Sequence, residues 1–239
     1  MANAVYGALS PWAKVGAPLN FDYNSGVDPK PAIASRFESI ASHIKPGDSL
    51  IIYYGGHSSD SGNGLAITSG NVYSASEIAS VLSDSRFAGV NKIVIDDSCD
   101  AADAWFNGLS AQSDIGFIGA SGVHGQQYMY AWANPDPNSP TYGQGYMTQA
   151  IIPALTPGAT FDSILAAAIN NAPQDTVSGF VEDDVPTGVT SGFERPSAYM
   201  SGDFNPDVTF VAVPEPSALA LAALALPGIA LMCSRKKKK

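Results

Sequence analysis

One histidine and one cysteine stand where a base and a nucleophile could be supplied. His57 follows Gly55-Gly56 after the apolar run Ser49 to Tyr54 (SLIIYY). Cys99 follows Asp96-Asp-Ser98 after Lys92 to Ile95 (KIVI). A thiol beside an imidazole ionises and attacks a carbonyl, and the imidazolium then protonates the leaving amine. The backbone N–H of Cys99 would help to hold the oxyanion, with a second N–H from Ser58 in the loop after His57. The same residues have a plainer reading: a lone histidine among glycines is often a loop residue, and a lone cysteine after a strand a small core hydrophobe. The chain's two cysteines, Cys99 and Cys233, exclude a disulfide framework and a four-cysteine zinc site. The three histidines, His43, His57 and His124, leave little room for a metal centre. No metal or cofactor is expected.

The elements that must position these groups follow from hydrophobic patterning. The two apolar runs are short and almost unbroken, the mark of strands buried on both faces. Ile115 to Ala120 (IGFIGA) reads as a third strand. Helical spacing runs from Pro31 to about His43, with Ile33, Phe37, Ile40 and Ala41 on one face. Ser74 to Leu82 opens with a capping box, Ser74 with Glu77. Tyr146 to Leu155 and Phe161 to Asn170 also have helical spacing. Strands alternating with helices predict an α/β fold with a mostly parallel sheet. Adjacent parallel strands lie about 4.8 Å apart, so residues just past their carboxyl ends can meet. Function gathers at those ends in such sheets, which points to the loops carrying His57 and Cys99. His124 and Asp60 are weaker polar candidates in nearby loops. Asp183 and Asp184 are adjacent, so in an extended segment they would point apart, unlike the paired carboxylates of a glycosidase.

Length and composition agree with one domain and an appendage. The chain has 239 residues, of which 45% are hydrophobic and 14% charged, enough apolar content to bury a core. All 22 acids lie at or before Glu215, while five of the 12 basic residues are the last five. So acidic a body argues against nucleic-acid binding, which needs a basic face.

The two loops resemble the paired motifs of caspase-like peptidases, the caspases, metacaspases and paracaspases. Gly47-Asp-Ser-Leu-Ile-Ile-Tyr-Tyr-Gly-Gly-His57-Ser58 resembles the family's strand ending in Tyr-Tyr-Ser-Gly-His-Gly. Lys92-Ile-Val-Ile-Asp-Asp-Ser-Cys99 is similar to its strand ending in Asp-Ser-Cys-His-Ser-Gly. Asn71 to Leu82, Phe117 to Ser121 and Gly145-Tyr-Met-Thr-Gln149 resemble the intervening helix, the next strand and a following helix start. The likeness covers roughly residues 31 to 170. It implies a caspase-like three-layer sandwich, a polypeptide substrate, Cys99 as nucleophile and His57 as general base and acid. Asp97 matches the metacaspase acid that lines the substrate pocket, which would favour Arg or Lys at P1. A strand-end acid that caps the following turn is the competing role for Asp97. Some metacaspases use calcium, but the acids form no EF-hand loop. Departures are specific: Ser58 follows the histidine, and Asp100-Ala-Ala follows the cysteine. A carboxylate at Asp100 would raise the thiol pKa and blunt it. Asp100 and Asp103 could instead begin a helix. A catalytically inactive caspase-like surface or matrix protein is therefore the alternative expectation.

The tail is tripartite. Val213-Pro214-Glu215-Pro216 precedes an apolar run from Ser217 to Cys233 and then Ser-Arg-Lys-Lys-Lys-Lys. Seventeen residues of helix span roughly 25 Å, slightly short of a 30 Å hydrocarbon core, which snorkelling lysines can bridge. The basic end would stay cytoplasmic. This tail resembles the PEP-CTERM sorting signal of Gram-negative bacteria, with Pro214, Glu215 and Pro216 as its motif. The resemblance implies an exosortase partner, a membrane-anchored precursor and a surface or extracellular product associated with polysaccharide. Export needs an N-terminal signal, and none is visible, so a missing upstream segment is expected. The expected organisation is an unassigned segment 1–30, a caspase-like domain 31–207, a linker 208–216, a transmembrane helix 217–233 and a basic tail 234–239.

Overall fold

The computed structural model describes residues 2–11, 18–58, 64–98, 101, 112–120, 138, 145–171, 197–201 and 203–209. Among these residues, four strands form the central sheet. Strand β1 (Ser49–Gly55) pairs in parallel with β5 (Asn91–Asp97), which pairs in parallel with β6 (Ile115–Gly119). An antiparallel strand, β7 (Ser197–Met200), closes the other side of β6. The spatial order is β1-β5-β6-β7.

Helices cover both faces, and alternation along the strands decides what each face buries. Ile93, Ile95 and Ile118 point into one core layer. They pack with α1 (Ala2–Leu9), α4 (Tyr146–Ile151) and α5 (Phe161–Asn170), through Val5, Leu9, Met147, Ile151, Phe161 and Ile164. Val94, Ile115 and Phe117 point to the opposite layer. They meet α2 (Lys30–Ala41) and α3 (Ala75–Leu82) through Ala41, Ile78 and Leu82, with Phe37 and Ile40 partly buried beside them. The expected α/β architecture, a parallel set of three strands flanked by helices, is therefore present.

The interior strands β5 and β6 are buried along almost their whole length, as their apolar runs predict. β1 differs: only Leu50 is fully buried. It packs against both layers, with Ile51 and Tyr53 on one and Ile52 and Tyr54 on the other. It ends the strand order, however, and has one strand neighbour rather than two among the described residues.

A second sheet grows from the loop after β1. β2 (His57–Ser58), β3 (Gly64–Thr68) and β4 (Asn71–Ser74) form an antiparallel set in that order. The sequence reading made His57 part of an open polar loop; the chain instead pairs His57 with Ala66 and Ser58 with Leu65. The β3–β4 connection turns at Ser69-Gly70, where Gly70 takes φ +81°, a conformation that glycine reaches without steric cost. β4 runs directly into α3, whose capping box forms as expected: the Ser74 hydroxyl accepts from the Glu77 N–H, and the Glu77 carboxylate accepts from the Ser74 N–H at 2.8 Å.

The predicted helix from Tyr146 to Leu155 is α4 for six residues, then a 3-10 turn, Ile152–Ala154, around Pro153. Proline cannot donate the next helical hydrogen bond. Segment 1–30, unassigned from sequence, supplies α1 and a 3-10 turn, Tyr23–Ser25, hydrogen-bonded to the β3–β4 connection. No helix among the described residues is long and apolar enough to cross a membrane. The predicted transmembrane segment 217–233, the Pro214-Glu215-Pro216 motif and the basic tail lie outside the described residues.

Candidate active site at the carboxyl edge of the sheet

The two candidate loops leave adjacent strands at the same end of the sheet. β1 and β5 stay in register as far as Gly55 opposite Asp97. His57 lies two residues beyond Gly55, and Cys99 two residues beyond Asp97. The Gly56 N–H donates to the Asp97 carbonyl at 3.4 Å, a long bond that extends the pairing one step into the histidine loop. Cys99 lies outside the described residues, as do Asp60, Asp100, Asp103, His124, Asp183 and Asp184. His57 is described and exposed, and Ser58 beside it is half-buried within β2.

His57 has two aromatic neighbours. The Tyr54 hydroxyl donates to the His57 carbonyl at 2.7 Å and lies 3.2 Å from the Ala66 carbonyl. The Tyr23 ring packs on the imidazole, with centroids 5.0 Å apart and planes tilted by 58°.

Asp97 is the more unexpected site residue. Sequence reasoning placed it in the loop after the strand, but β5 continues through Asp96 and Asp97, and both are fully buried. The Asp97 side chain lies on the same sheet face as Ile93 and Ile95. Its Oδ2 accepts from the Thr148 N–H at 3.1 Å and from the Thr148 hydroxyl. Thr148 is the third residue of α4, so Asp97 caps that helix from the strand on which it packs. The Tyr53 hydroxyl meets Thr148 Oγ1 at 2.5 Å, which completes a chain from β1 through α4 to β5. The other carboxyl oxygen, Oδ1, is buried with no hydrogen-bond partner among the described residues. Burial pushes the Asp97 carboxyl up to about 7, against the Thr148 bonds that favour the charged form. Burial, with the Asp97 charge adding to it, also raises the Tyr53 phenol, so Tyr53 is a neutral donor at neutral pH.

Gly145 explains how α4 comes this close. A Cβ at that position would collide with the Asp97 carboxyl. Five site residues had no role from sequence: Tyr23, Tyr53, Gly145 and Thr148, which act through contacts between segments distant in the chain, and Tyr54, which reaches both His57 and the more distant Ala66. Gly145 and Thr148 had a signal as a glycine and a hydroxyl residue at a helix start, and Tyr53 and Tyr54 as the tyrosine pair of the histidine motif; Tyr23 had none. Among the described residues no three of His, Cys, Asp and Glu gather in a way that could hold a metal ion.

Comparison with known proteins adds no assignment: no family model matches the chain, and no curated protein matches it.

Proposed function

We propose that this chain is an exported caspase-like cysteine endopeptidase with a Cys99/His57 dyad that cleaves after Arg or Lys. The observation that supports the reading is the parallel β1–β5 register, which ends the two strands together with Gly55 opposite Asp97. Cys99 attacks the scissile carbonyl, His57 takes the thiol proton and returns it to the leaving amine, and the N–H groups of Cys99 and Ser58 receive the oxyanion. Asp97 is the acid for a basic P1 residue. The Pro214-Glu215-Pro216 tail with its apolar span and basic end makes the protein a membrane-anchored precursor for exosortase sorting to the surface of a Gram-negative cell.

The test is cleavage of fluorogenic peptides ending in Arg, Lys or Asp, with Cys99→Ala and His57→Ala alongside. Activity on Arg and Lys peptides that both substitutions abolish is the expected result. Equal cleavage after Asp and Arg would remove the basic preference.

The buried Asp97 favours a second reading. A carboxyl already committed to α4 serves the fold, and the chain is then a catalytically inactive caspase-like surface protein. Rapid alkylation of Cys99 near neutral pH supports the enzyme; an inert thiol in a folded sample supports the inactive form.

A further inference from the structure

We propose that Tyr54 and Tyr23 are positioning residues that hold His57 for proton transfer, Tyr54 through the backbone and Tyr23 through the ring. This rests on the dyad reading above. His57 sits on a strand of two residues and is exposed, so the core does not fix it. Something local must, because a misplaced base loses much of its effect.

Tyr54 supplies the backbone constraint. Its hydroxyl addresses the carbonyls of His57 and Ala66, which are register partners in the β2–β3 ladder. One phenol thus pins the ladder at the point where His57 enters it. Gly56 permits this: a Cβ there would lie 2.6 Å from the Tyr54 hydroxyl oxygen. Burial raises the phenol, so it remains a donor throughout the neutral range.

Tyr23 supplies the ring constraint. It lies in a 3-10 turn, Tyr23–Ser25, capped by Asp22, whose carboxylate accepts from the Asn24 N–H at 3.0 Å. The turn is fastened to the β3–β4 hairpin: the Ser69 N–H donates to the Tyr23 carbonyl at 2.6 Å, and the Thr68 hydroxyl donates to the Val27 carbonyl at 3.0 Å. Tyr23 is itself 41% exposed. Its contact with His57 is therefore a surface contact on an anchored loop, at a separation where aromatic pairs attract. A fixed ring on one flank narrows the set of rotamers open to the imidazole. The segment before α2 is then part of the site.

The experiment uses the full chain and three variants. Tyr54→Phe keeps the ring and loses the hydroxyl; Tyr23→Leu loses the ring; Tyr23→Phe restores it. Tyr54→Phe and Tyr23→Leu are expected to lower kcat about tenfold with KM unchanged, and Tyr23→Phe to recover most of the rate. Histidine-labelled NMR spectra supply a readout independent of cleavage. The three-bond couplings that report the His57 χ1 angle should move toward rotamer averaging in Tyr23→Leu and Tyr54→Phe and return to the wild-type values in Tyr23→Phe. A Tyr23→Leu rate equal to or above wild type overturns the proposal, as does an unchanged Tyr54→Phe rate. Should the wild-type chain cleave nothing, the dyad reading fails and the NMR arm alone decides on the clamp: His57 side-chain couplings unchanged in folded Tyr23→Leu and Tyr54→Phe overturn it, and couplings averaged over rotamers sustain it.

Discussion

Thr148 gives both its backbone N–H and its hydroxyl to one oxygen of Asp97, across 51 residues of chain and between a helix and the central strand. That double contact joins the end of β5, two residues before Cys99, to the first turn of α4. The fold and the candidate site share this joint. Thr148→Val keeps the shape and removes the hydroxyl. It leaves a buried carboxyl with one donor fewer and the Tyr53 hydroxyl without its acceptor. We predict a loss of about 1–3 kcal/mol in urea unfolding, with Thr148→Ser recovering most of it. A valine variant as stable as wild type would show that the network contributes nothing net.

Asp97 also sets a pH dependence. An unfolded aspartate ionises near pH 3.9, whereas folded Asp97 holds its proton until about 7 because it is buried. Between those values the folded state binds more protons than the unfolded one. This group's contribution to stability is therefore intact below about pH 4 and falls as pH rises toward 7. Asp97→Asn removes the titration. The stability difference between wild type and variant should change by about 1.4 kcal/mol per pH unit inside that window. Parallel curves from pH 4.5 to 7 would refute the assignment.

The same substitution tests the proposed specificity. A charge-assisted contact to a basic P1 side chain is lost when the carboxyl becomes an amide. Asp97→Asn should lower kcat/KM for Arg and Lys peptides by about 100-fold, on the scale of a hydrogen bond to a charged group. Cleavage of a peptide with a neutral P1 residue should fall far less. A uniform loss on all peptides would assign Asp97 to the fold alone.

The sequence showed the strands because continuous apolar runs have few other uses, and the capping box because its partners lie three residues apart. It overstated β1, since an apolar run reports that both faces are covered and is silent on whether a strand ends the sheet. It missed the β2–β3–β4 sheet because Leu65-Ala-Ile67 and Val72-Tyr73 are shorter than the polar, glycine-rich stretch before them. The Ser69-Gly70 turn between them was the available signal. α1 lacked a polar cap and an acidic first turn, although Val5 and Leu9, four residues apart, form its buried face. Of the site, the histidine loop and its neighbouring strand end were legible. The partners of Asp97 and His57 were not, because hydrogen bonds and ring contacts between distant segments leave no periodicity.

The capping box itself can be measured. Ser74→Ala removes the acceptor for the Glu77 N–H at the point where β4 becomes α3, and frees the Glu77 carboxylate from one hydroxyl. A loss of about 1 kcal/mol is expected from thermal or urea unfolding. Ser74→Thr should preserve most of the stability, because its hydroxyl can still accept.

Gly145→Ala tests whether the helix start was shaped around the carboxyl. The Gly145 backbone angles, φ −62° and ψ 151°, suit any residue, so alanine carries no conformational penalty of its own. Its methyl group would nevertheless meet Asp97. Either α4 must lift, breaking the Thr148 contacts, or β5 must shift against a core buried on both faces. We predict a loss of about 1–3 kcal/mol, the usual cost of overpacking. The cause is separable with Asp97→Ala. If the two groups collide, the double variant should be more stable than the sum of the single losses allows, with a coupling of at least about 0.5 kcal/mol. Additive losses would mean that Gly145 is required for some reason other than the carboxyl beneath it.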